Sequence, residues 1–134
     1  MGLPLKSGDT FILPKTSDGI EHLWIIVAES DPASRKAICV NITSEQADSD
    51  TTCKLNKGDH SFVTHASVVY YKDAREIDLA LVEKALNAGI KNFVCTAHDP
   101  CSAALLARVQ QGLIDSKQTP KGIKATCKKL WSIP

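Results

Sequence analysis

Cys53, His60 and His65 follow one another at intervals of seven and five residues, with Ser67, Tyr70 and Tyr71 directly after them. No other stretch of the chain is as rich in groups able to move a proton or hold a metal. A third imidazole joins them if His22, at the head of an early strand, lies on a neighbouring strand. Two imidazoles near one another can divide the roles of general base and general acid, because the side chain titrates near neutral pH. A metal-independent ribonuclease needs that arrangement. One group takes the proton of the 2′-hydroxyl, the other protonates the leaving oxygen, and a hydroxyl or a cation steadies the phosphorane. The plainer alternative is that His60 caps a turn through Asp59 and His65 is a half-buried strand residue.

Zinc competes for the same residues. Cys53, His60, His65 and His22 form a chemically acceptable ligand set, although their spacing matches no closed structural motif. A second candidate is Cys95-x2-His98-x2-Cys101 with Cys127 as fourth ligand, but Asp99-Pro100 also reads as a helix start that needs no metal. Other chemistries lack their signatures. The chain has no Gly-rich phosphate loop, no G-x-S-x-G elbow, no H-E-x-x-H and no D-x-D-x-D-G loop. Its carboxylates are too scattered for a glycosidase pair.

The elements that must position these groups divide the chain in two. Thr10–Leu13, Leu23–Ala28, Ala37–Ile42, Thr52–Leu55 and Ser67–Tyr71 are short runs rich in Ile, Val, Thr and aromatic residues. Turn clusters separate them: Lys6-Ser7-Gly8-Asp9, Lys15-Thr16-Ser17-Asp18-Gly19, Ser30-Asp31-Pro32 and Asn56-Lys57-Gly58-Asp59. Five short strands so punctuated predict a small barrel or sandwich rather than βαβ units. After residue 78 the period changes. Leu79, Leu81, Val82, Ala85 and Leu86 predict an amphipathic helix that Gly89 can end. Asp99-Pro100 predicts an N-cap and first helical residue before Leu105, Val109 and Leu113, and Thr119-Pro120 repeats the signal before Ile123, Cys127 and Leu130. Asn92–Cys95 reads as a short strand or a buried connector.

Composition sets outer limits. The chain has 134 residues with 43% hydrophobic and 23% charged side chains, which suits one globular domain. The net charge of +1 excludes a polycation or an acidic tail protein. No apolar run is long enough for a transmembrane helix, and the N-terminus lacks the regions of a signal peptide. Five cysteines leave an odd thiol in any pairing, so reduced thiols and a cytoplasmic setting are expected. The charge is uneven, because five lysines fall after Asp115 with no acid among them. On a helix of residues 120–130, Lys121, Lys124 and Lys128 share one face beside the stripe of Ile123, Cys127 and Leu130. They are candidate nucleic-acid-binding residues, with plain solubility as the alternative.

The order of the β half resembles the PemK/MazF-like toxin family of bacterial toxin–antitoxin systems. The residues that carry the likeness are Gly8-Asp9-Thr10-Phe11-Ile12, His22-Leu23-Trp24-Ile25-Ile26-Val27 and Ile38-Cys39-Val40-Asn41-Ile42-Thr43-Ser44. His65-Ala66-Ser67-Val68-Val69-Tyr70, leading to Arg75-Glu76-Ile77-Asp78, completes it. The likeness covers residues 5–88 and lies more in this order than in any one motif. It implies an SH3-like barrel, commonly dimeric, that cleaves single-stranded RNA without metal and is held by an antitoxin protein. The family's catalytic pair is an arginine just before the second strand and a serine or threonine closing the I-T-S strand. Thr43 and Ser44 match the second, while the stretch 17–22 offers only His22 in place of the first.

The expectation is therefore a single α+β domain, an SH3-like small β-barrel over residues 5–77 followed by two or three helices over 78–134. Its leading function is a toxin-like endoribonuclease on single-stranded RNA, with no cofactor. His60 and His65 are the acid–base candidates, while His22, Thr43 and Ser44 position or stabilise the scissile phosphate. The alternatives are a non-catalytic module that binds nucleic acid or a partner protein, and a zinc-stabilised interaction domain. Partners would be RNA, an antitoxin and a second copy in a homodimer, with no membrane.

Overall fold

The protein is described by a computed structural model covering residues 4–14, 21–88 and 96–134. The Lys15–Gly19 turn, the Gly89 cap, the 92–95 segment and Cys95 lie outside the described residues. The elements run in the order β1 (Thr10–Pro14), β2 (Glu21–Asp31), β3 (Lys36–Ser44), β4 (Lys54–Leu55), β5 (Ser67–Asp78), α1 (Leu79–Ala88), β6 (Thr96–His98), α2 (Ala103–Asp115) and α3 (Lys121–Leu130). The six strands form one antiparallel sheet of order β4-β5-β3-β2-β1-β6. The sheet curls into a half-barrel that carries three helices. No helix among the described residues is long and apolar enough to cross a membrane.

Side chains alternate across a strand, so a strand covered on both faces must be apolar at nearly every position. In β2, Leu23, Ile25 and Val27 share one face with Ile38, Val40 and Ile42 of β3 and with Val69 and Tyr71 of β5. Leu105, Val109 and Leu113 of α2 and Cys127 of α3 complete this larger core. The intervening Trp24 and Ile26 meet Phe11, Ala37, Cys39, Leu5 and the α1 residues Leu79 and Val82 in a second core. The unbroken run Leu23–Val27 thus serves both layers.

Irregular register curls the sheet. Asn41 pairs with Tyr70 and Cys39 with Arg75, so three extra residues of β5 are accommodated between those two pairs. The β2–β3 pairing also shifts on either side of Ala28. Bulges of this kind bend strands and raise their twist.

Three helix expectations need correction. Asp99-Pro100 does not open α2, because Cys101 N–H pairs with the Gly8 carbonyl at 2.8 Å and keeps the chain extended. Ser102 caps the helix instead, its hydroxyl oxygen accepting from Leu105 N–H at 3.1 Å. Pro120 stands at the cap of α3 rather than inside it, and the Thr119 hydroxyl donates back to the Leu113 carbonyl at 2.8 Å. Along α3, Ile123, Cys127 and Trp131 face the larger core, while Leu130 is exposed. The stripe follows a spacing of four throughout. The chain after residue 78 also contributes a strand, since β6 returns to pair with β1 and makes Thr10 the partner of His98.

One helix–sheet approach depends on a missing side chain. A Cβ on Gly112 of α2 would stand 2.1 Å from the Tyr71 Oη, which donates to the Val109 carbonyl at 2.7 Å. Glycine lets the buried phenol lie against the helix backbone.

A candidate active-site cleft

The end of β3 and the start of β5 pair through Thr43 with Val68 and Ser44 with Ser67. Beyond that pairing the chains stay tied, because Glu45 N–H donates to the Ala66 carbonyl at 3.1 Å. The Ser67 hydroxyl donates to the His65 carbonyl at 2.9 Å, fixing the turn that carries the imidazole. His65 Nε2 meets the Ser44 Oγ at 2.7 Å, and its Nδ1 lies 3.2 Å from the Thr64 hydroxyl. His22 enters from the start of β2, its Nδ1 donating to the Ile42 carbonyl at 3.1 Å. A carbonyl can only accept, so this bond fixes the proton on Nδ1 in the neutral ring.

His22, Thr43, Ser44 and His65 all line one cleft of about 390 Å³, with Phe62 on its apolar side. The structure therefore brings together four of the five catalytic candidates. His60 is not among the residues lining it. Its Nε2 donates to the Asp99 carbonyl at 2.6 Å, while its Nδ1 accepts from Phe62 N–H at 3.0 Å. The ring is buried and lies 5.4 Å from that of His98. Both nitrogens are thus committed to joining the 56–64 loop to the segment after β6, and this imidazole is a structural tie. The zinc set fares likewise, since no three His, Cys, Asp or Glu side chains among the described residues converge as metal ligands.

Thiol chemistry has no support in the described chain. Burial pushes the Cys39 and Cys53 thiols up, and holds Cys101 and Cys127 at about 11. A nucleophilic cysteine needs the opposite shift. The reactive groups available are imidazoles and hydroxyls.

A second cleft, of about 380 Å³, abuts the first and shares Thr43, Ser44 and Gln46 with it. Asp48, Asp50, Tyr70, Lys72 and Gln118 also line it. Sequence reasoning misses this group, because its members come from the β3–β4 loop, β5 and the α2–α3 turn with no common spacing. Asp50 is engaged already. Burial raises its carboxyl, but hydrogen bonds from Ser116 and Thr52 outweigh burial and hold it below its ordinary value.

The lysine helix is placed with its three expected cations in different settings. Lys124 Nζ donates to the Ser116 carbonyl at 2.7 Å and so closes the C-terminus of α2. Lys121 is exposed and Lys128 half-buried. Gln118, at the base of this helix, reaches the second cleft. No family model matches the chain, and no curated protein matches it significantly.

Proposed function

We propose that the protein is a toxin-like, metal-independent endoribonuclease of SH3-like barrel type that cuts single-stranded RNA in the His22–His65 cleft. The observation that carries this reading is the meeting of two imidazoles and two hydroxyl side chains, from three separate strands or loops, around one cavity. His22, its ring oriented by the Nδ1 bond to the Ile42 carbonyl, is the group that takes the proton of the 2′-hydroxyl. The 2′-oxygen attacks phosphorus, the bond to the 5′-oxygen breaks, and His65 gives that oxygen its proton. Ser44, already bonded to His65, and Thr43 donate to the phosphorane oxygens. The products are a 2′,3′-cyclic phosphate and a 5′-hydroxyl. Paired acid and base groups of this kind contribute about 10²–10⁴ each in rate. Incubation with single-stranded RNA in excess EDTA should give fragments with those ends. No fragments at protein concentrations equal to the RNA would overturn the reading.

One observation favours a second reading, a module that binds RNA or a partner without cutting. No lysine or arginine is among the described residues lining the cleft, and Glu21 is. Salt-sensitive RNA binding that survives alanine at both His22 and His65, with no products from the wild type, would decide for it.

A further inference from the structure

The first cleft accounts for a scissile phosphate but not for the nucleotide beside it. The second cleft opens directly from it through Thr43, Ser44 and Gln46, so a strand seated in one continues into the other. Its lining differs in chemistry. Asp48 and Lys72 are exposed and form no hydrogen bond or ion pair among the described residues, and the side chains of Gln46 and Gln118 are equally uncommitted. Asp50 differs, because its two oxygens accept from Thr52 and Ser116. Tyr70, half-buried on β5, adds an aromatic ring to the same wall.

An aromatic ring, two amides, one uncommitted carboxylate and one ammonium suit a nucleotide rather than an apolar ligand. Bases stack on aromatic rings whatever their identity. The carboxylate sets the choice. It only accepts hydrogen bonds, and guanine alone among the four RNA bases presents two adjacent donors, its ring N1–H and its 2-amino group. Adenine, cytosine and uracil each offer one donor group on that edge. Lys72, from the same lining, supplies the cation that the first cleft lacks and that the phosphate joining the two nucleotides requires.

We infer that the cleft lined by Gln46, Asp48, Tyr70, Lys72 and Gln118 is the subsite for the nucleotide flanking the scissile phosphate, and that it selects guanine through Asp48. This rests on the endoribonuclease reading for its place in the reaction, and its test does not depend on cleavage. Hexamers of 2′-deoxyuridine carrying one central guanine, adenine or cytosine cannot undergo the 2′-hydroxyl reaction and report binding alone. A bidentate pair with a base contributes about 1–3 kcal/mol of discrimination, so the guanine hexamer should bind the full-length protein at least about fivefold more tightly. Asp48→Asn, which replaces one acceptor oxygen with a donor, should reduce that preference below about threefold. Lys72→Gln should weaken all three hexamers by the same factor. Both residues are exposed, so the variants should unfold at the wild-type urea midpoint. Equal binding of the three hexamers, or a guanine preference unchanged in Asp48→Asn, would overturn the subsite. A guanine preference that moves as expected in a protein that never cuts RNA would leave the subsite standing and overturn the cleavage reading.

Discussion

Replacing His60 with alanine separates the structural imidazole from His65, the one proposed for chemistry. The substitution removes the donor to the Asp99 carbonyl and the acceptor of the Phe62 N–H. The Asp99 carbonyl keeps a partner, because the Thr10 hydroxyl donates to it at 2.6 Å. The Phe62 N–H loses its partner. An unmade bond at a partly buried donor, a lost tie to the segment after β6 and the space vacated by a residue only 7% exposed cost about 1 kcal/mol each, or about 3 kcal/mol together. His65→Ala acts on an exposed ring, so stability should change by less than about 0.5 kcal/mol. Its cost appears in turnover, by about 10²–10⁴. Urea titrations give the first quantity, and RNA cleavage per folded molecule at low temperature gives the second. A His60→Ala protein as stable as the wild type, or folded and inactive, would refute the division of roles.

Further outcomes follow from the packing and charges. Gly112→Ala should destabilise by about 2 kcal/mol, the clash with Tyr71 exceeding the gain of about 1 kcal/mol in helix propensity. Tyr71→Phe in that background removes the nearest atom and should recover part of the loss in thermal melts. Asp50 and Asp59 have folded-state carboxyls held below their ordinary values. Asp50 is lowered by Ser116 and Thr52 against burial; Asp59 is lowered by the Asn56 N–H, against burial, with Arg108 also lowering it. Their stabilisation is therefore complete above about pH 4, the unfolded value, and is lost as pH falls below it. Urea midpoints from pH 6 to 3 should fall at the acid end, with a shallower fall in Asp50→Asn; an equal slope would contradict the assignment. Lys121→Gln with Lys128→Gln should flatten the dependence of RNA affinity on salt, whereas Lys124→Gln should cost about 1 kcal/mol of stability through the lost bond to Ser116. An unchanged salt slope would remove the helix from the RNA path.

Composition made the β half legible. Thr10–Leu13, Leu23–Ala28, Ala37–Ile42 and Ser67–Tyr71 all lie within observed strands, because short unbroken runs of β-branched and aromatic residues report directly on a sheet with two covered faces. β6 left no such trace, as Thr96-Ala97-His98 is too short for a period and is held by pairing with β1. The end of β5 ran past its apolar pattern because Arg75–Asp78 are held by pairing with Lys36–Cys39 beyond the register shift, a long-range contact with no local signal. At the site, Thr43 and Ser44 were legible through the motif they close, and His22 through its place at a strand head. His60 and His65 look equivalent in sequence. They differ through a carbonyl at Asp99, 39 residues from His60, and a hydroxyl at Ser44, 21 residues from His65.

The central claim is that the cleft of His22, Thr43, Ser44 and His65 holds the scissile phosphate. A crystal structure of the full chain with a single-stranded RNA blocked by one 2′-deoxy substitution tests it most directly. The blocked phosphate should lie within hydrogen-bond distance of His65 Nε2 and Ser44 Oγ, with the next base in the cleft beside Tyr70. An oligonucleotide bound along the α3 lysines, with the His22–His65 cleft empty, would contradict it.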